Sequence, residues 1–73
     1  MSRLPALRPR ELIAALRKAD FIESHQSGSH LVMKHADGRR AVIPIHAPDL
    51  KRSLMFGILK SICMTEDQLE RLL

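Results

Sequence analysis

The spacing of apolar positions changes twice along the chain, dividing it into helix, sheet and helix. Leu12, Ile13, Leu16 and Ala19 recur at helical spacing opposite Arg10, Arg17 and Lys18, which predicts an amphipathic helix from Pro9 to about Ala19. Pro9 suits the first turn, where its missing N–H would have no partner in any case. With Pro5 it discourages an earlier start and makes residues 1–8 a loose lead-in. Asp20 falls where the chain must reverse, a place that favours glycine because the left-handed conformation is costly for other residues.

Beyond Asp20 the period shortens towards two. Phe21 to Ser27 reads as an edge strand, Gly28 permits a turn or a close backbone approach, and Ser29 opens a second strand that runs to Lys34. Asp37-Gly38 predicts a two-residue type I′ turn, since both residues tolerate positive φ, and Arg39 to Ile45 returns as the third strand. Pro44 fits there only if its missing donor faces outward or falls at the strand's end. Alternation places Leu31 and Met33 on one face and His30, Val32 and Lys34 on the other, so His30 and Lys34 share the more polar face.

Ala47-Pro48-Asp49 ends the sheet pattern, and Leu54, Met55, Ile58, Leu59 and Ile62 form a second helical stripe with Ser53 as its cap. Gly57 inside that helix costs about 1 kcal/mol relative to Ala, or marks a close helix contact. Thr65-Glu66-Asp67-Gln68 is a capping box opening a short third helix, with Met64 and Leu69 placed as its hydrophobic staple. The expected fold is α+β, ordered α-β-β-β-α with a short extra C-terminal helix. Three antiparallel strands carry the helices on one face, and residues 1–73 form a single domain.

Charge changes this picture by suggesting a partner. The 12 Lys and Arg outnumber the 8 Asp and Glu by four, and the last nine residues hold three of the acids but only one Arg, leaving residues 1–64 at 11 against 5, or +6. Such a basic body suits a polyanion. Cys63 is the one cysteine, which excludes an internal disulfide and fits a reducing compartment, and its place in an apolar helical pattern reads as a small buried hydrophobe. No apolar run reaches membrane-spanning length and the start lacks the apolar stretch of a signal peptide, so a cytoplasmic chain with no membrane partner is expected.

Four histidines raise the question of metal, but His25, His30, His35 and His46 include no close ligand pair, and His30 and His35 point to opposite faces. No metal or cofactor is expected. There is no phosphate-cradling glycine loop, and Ser29 points away from His30 across the strand. What remains is His30 beside a Gly28-Ser29 backbone, with Lys34 on its face and Arg39 and Arg40 at the hairpin. RNA cleavage needs a group that takes the ribose 2′-OH proton, cations against the phosphorane-like transition state, and backbone donors near a phosphate. His30 is thus the catalytic candidate, and Gly28, Ser29, Lys34, Arg39 and Arg40 are the RNA-binding candidates. His46 is a further proton-transfer candidate, although a strand-end histidine is more often solvated surface.

The runs Lys18-Ala19-Asp20-Phe21, Gln26-Ser27-Gly28-Ser29-His30, His35-Ala36-Asp37-Gly38-Arg39-Arg40 and Val42-Ile43-Pro44-Ile45-His46 together resemble the HicA toxin family over nearly the whole chain. The resemblance implies a small cytoplasmic ribonuclease of a type II toxin–antitoxin pair, with a fold like the double-stranded-RNA-binding domain. It also implies one active-site histidine, which maps to His30, mRNA as substrate and a HicB-like antitoxin as partner. The chain departs from the family's usual pattern at Asp20 and Cys63, where glycine is usual, and over Ser53-Leu54-Met55-Phe56. The alternative is a module that grips duplex RNA by shape and phosphate contacts without cutting it.

Overall fold

The computed structural model describes residues 6–73 and has the order α1 (Pro9–Lys18), β1 (Ile22–Ser27), β2 (His30–Lys34), β3 (Arg40–Pro44), α2 (Arg52–Ser61) and α3 (Glu66–Leu72). The three strands form one antiparallel sheet in the order β1-β2-β3. Leu31 and Met33 of β2 and Ala41 and Ile43 of β3 meet Leu12, Ala15 and Leu16 of α1, Met55, Ile58 and Leu59 of α2, and Leu69 of α3 in one core. Pairing fixes the opposite face: residues paired across an antiparallel ladder point the same way, so His25, Ser27, His30, Val32, Lys34, Arg40, Val42 and Pro44 share the side the helices leave open. Even this face has a covered centre. Val32, between His25 and Val42, is only 4% exposed.

Both long helices end in the same device. Asp20 has φ 70°, with hydrogen bonds from its N–H to the Arg17 carbonyl and from the Phe21 N–H to the Leu16 carbonyl. Cys63 has φ 54°, with the matching bonds from Cys63 to Lys60 and from Met64 to Leu59. These are Schellman ends, and each puts a residue with a Cβ where glycine is the usual choice. The left-handed turn also swings the Cys63 side chain outward, so the thiol is exposed rather than buried, and Ile62 beside it fills the core instead.

Other local expectations shift by a turn. Helix α2 starts at Arg52 with Lys51 as its cap and no side-chain cap bond, so Ser53 lies inside the first turn rather than before it. Gly57 has open space where a Cβ would stand and marks no close helix contact. The α3 box forms as read: Thr65 Oγ1 accepts from the Gln68 N–H at 3.1 Å and Gln68 Oε1 accepts from the Thr65 N–H at 2.8 Å. Pro5 lies outside the described residues. The end of the lead-in is not loose, because Leu7 is 3% exposed and its carbonyl accepts from the Leu50 N–H at 2.7 Å.

The turns differ as well. Asp37 keeps negative φ, so the β2–β3 turn is not type I′; the Gly38 N–H closes a turn onto the His35 carbonyl at 2.9 Å, and Gly38 at φ 100° supplies the extra left-handed residue of a three-residue loop. The tight two-residue turn is instead Gly28-Ser29, with Gly28 at φ 58° and Ser27 paired to His30, so Ser29 belongs to the turn and the strand begins one residue later.

Candidate nucleic-acid interface

The Gly28-Ser29 turn holds His30 at the first position of β2, flanked by Ser27 on β1 and Pro44 on β3. Its imidazole is exposed on the open face. Ser29 is drawn into the β3 ladder through its carbonyl, which accepts from the Ile45 N–H at 2.8 Å, and Gln26 Nε2 donates to the Gly28 carbonyl at 3.4 Å. The backbone beside His30 is thereby fixed from both sides.

Lys34 ends the same strand about 13 Å from His30, at about 3.3 Å per residue. It faces Arg40 directly, as a pair that does not exchange backbone hydrogen bonds, the arrangement in which side chains lie closest. Like charges so placed repel, and among the described residues neither cation forms an ion pair. Their repulsion is relieved when an anion lies between them.

Arg39 is different. Its Nε donates to Asp37 Oδ2 at 2.7 Å, its Nη1 donates to the Ile62 carbonyl at 2.9 Å, and its guanidinium lies 5.1 Å from the Phe21 ring centre. Phe21 in turn meets the His35 ring edge-on at 5.1 Å. The hairpin tip is therefore tied to the end of α2, with part of the Arg39 donor set spent on the fold. The Arg39 N–H bond to Oδ1, aided by its guanidinium, holds Asp37 below the usual carboxylate range against the upward push of partial desolvation.

Several of the other described basic residues are paired or line a separate cleft. Arg17 pairs with Glu23, and Arg52 reaches Glu66 at 3.1 Å and lies over Phe56. Arg8 and Arg10 line a cleft of about 590 Å³ at the start of α1, closed by Ile45, Pro48 and Asp49. His46 is exposed just past β3, next to the Ile45 that bonds Ser29. His25, which the strand pattern did not single out, stands on the open face diagonal to His30. Its place depends on the irregular register between Glu23 and His25 and on the Gly28-Ser29 turn, which sets Ser27 opposite His30. Reading Gly28-Ser29 as a Gly-first hairpin turn would have found it.

The open sheet face of this α+β domain thus carries an exposed histidine and a Lys34–Arg40 couple that forms no ion pair among the described residues. Residues 9–64 match the model of the HicA toxin of bacterial toxin–antitoxin systems, and the chain belongs to that family. Its members are toxins with ribonuclease activity, which places the chain among nucleases that have a cognate antitoxin. No curated protein matches the chain. Among the described residues no helix is long and apolar enough to cross a membrane.

Proposed function

We propose that the chain is a cytoplasmic, metal-independent endoribonuclease that cuts mRNA with His30 and is neutralised by a HicB-like antitoxin. The observation that carries this reading is the pairing of Lys34 with Arg40 on the face that exposes His30, a couple of cations that only an anion relieves. His30, exposed on the open face, takes the ribose 2′-OH proton. The resulting alkoxide attacks the adjacent phosphorus, the P–O5′ bond breaks, and the products are a 2′,3′-cyclic phosphate and a 5′-OH end protonated by water, to which His30 returns the proton it took. The Gly28-Ser29 backbone lies against the phosphate under attack, while Lys34 and Arg40 hold phosphates further along the strand. Arg39 contributes through donors not engaged by Asp37 and Ile62.

RNA incubated with the purified chain in EDTA tests both parts of the proposal. Cutting is expected to persist in the chelator and to disappear in His30→Ala, whose exposed site leaves little packing to lose. Cutting by His30→Ala at the wild-type rate overturns the mechanism, and RNA bound but never cut by the wild type supports the gripping module instead.

A further inference from the structure

The outer edge of β3 is open in a specific way. The Ile45-to-Ser29 and His35-to-Arg39 bonds fix which β2–β3 pairs exchange hydrogen bonds, so the alternate residues Arg40, Val42 and Pro44 turn their backbone groups away from β2. Pro44 has no N–H to offer there, which is why it fits. Arg40 and Val42 each leave an N–H and a C=O along the edge. Beside that edge runs a groove of about 490 Å³ between β3 and α2, with Val42, Leu54 and Ile58 along it and Arg40 at its side. Val42 is 42% and Leu54 43% exposed, and Gly57 leaves the helix wall bare where any other residue would project a side chain.

We propose that this groove receives an extended segment of the cognate antitoxin, which pairs with the Arg40 and Val42 backbone as a fourth strand, inserts apolar side chains against Val42 and Leu54, and sets a carboxylate against Arg40. An unpaired edge with an apolar flank is the surface that strand addition uses. Charge decides the occupant. A second copy of a chain with net charge +4 would bring another Arg40 to the same edge, whereas an acidic strand relieves the Lys34–Arg40 repulsion. A strand seated here takes Arg40 from RNA phosphates and inhibits without any rearrangement of the toxin. The inference rests on the proposed function for what is inhibited, but not for where the antitoxin docks.

The test uses the purified chain and the antitoxin encoded beside it. Val42→Pro removes one outward donor at a position equivalent to that of Pro44, and Gly57→Leu fills the groove from a site with free space. Each variant is expected to bind the antitoxin at least about tenfold more weakly, the scale of one lost hydrogen bond or a blocked contact, and to cut RNA like the wild type when free. In the wild-type complex the Arg40 and Val42 amides are expected to become protected from hydrogen exchange. Absence of any complex, wild-type affinity in Gly57→Leu, or unprotected Arg40 and Val42 amides in a saturated complex overturns the proposal. A free chain that never cuts RNA but shows the amide protection rejects the nuclease reading and keeps the docking site.

Discussion

Replacing Cys63 by glycine should stabilise the protein, and the size of the gain follows from its backbone. At φ 54° the Cβ of Cys63 crowds its own carbonyl, at a cost of about 1–2 kcal/mol for an L-residue in the left-handed well. Glycine avoids that cost but has more freedom to lose on folding, about 0.5–1 kcal/mol. The thiol is exposed, so its removal empties no part of the core. The Schellman bonds from residues 63 and 64 to Lys60 and Leu59 involve only backbone and survive the change. The net gain is about 0.5–1 kcal/mol, or a rise in Tm of about 2–8 °C for a domain of this size. Asp20→Gly, at φ 70° in the equivalent place after α1, should give a smaller gain because Asp visits this region more readily. Thermal unfolding followed by circular dichroism at pH 7 under reducing conditions measures both. Cys63→Ala is the control, since it removes the thiol and keeps the strain, and its Tm should barely move. A Cys63→Gly Tm equal to or below wild type, or an equal rise in Cys63→Ala, would refute the assignment of the strain to residue 63.

Other consequences can be checked separately. Removing Lys34 or Arg40 should lower the slope of log affinity for RNA against log salt by about 0.7–0.9 per charge with little change in base preference, and an unaltered slope in the double variant would place RNA elsewhere, for example along Arg8 and Arg10. Arg39→Met should destabilise the fold by about 1–3 kcal/mol, because it leaves the part-buried Ile62 carbonyl without its donor and removes the Phe21 contact, while the backbone N–H of residue 39 still bonds Asp37 Oδ1; chemical denaturation that finds wild-type stability would contradict this. The lowered Asp37 pKa means that its stabilising effect is fully present above the ordinary carboxylate value of about 3.9 and is lost as pH falls through the folded-state value. The stability difference between wild type and Asp37→Asn should therefore shrink below about pH 4, and a difference that stays constant down to acid pH would rule this out.

The elements themselves were determined by sequence-local physics. Helical spacing at Leu12 and Leu16, proline at the first turn of α1, and the Thr65–Gln68 box are signals read within one or two turns, and each formed where the chain wrote it. The period-2 rule was enough to place His30 and Lys34 on one face and Leu31 and Met33 in the core, because that alternation belongs to any extended strand. Pairing across elements was beyond such signals. Which cations oppose each other depends on the register of β2 against β3, and whether a cation is free for a ligand depends on what folds over it: Arg39 and Arg40 are adjacent in sequence, yet one is tied to Asp37 and Ile62 and the other faces Lys34. The same holds for Cys63, which an apolar pattern assigns to the interior. The end of α2 requires a left-handed residue there, and the reversal of the chain into α3 turns the thiol to solvent. Faces and caps follow from bonds between near neighbours, whereas the free cations, the bare β3 edge and the groove beside it exist only once distant segments have met.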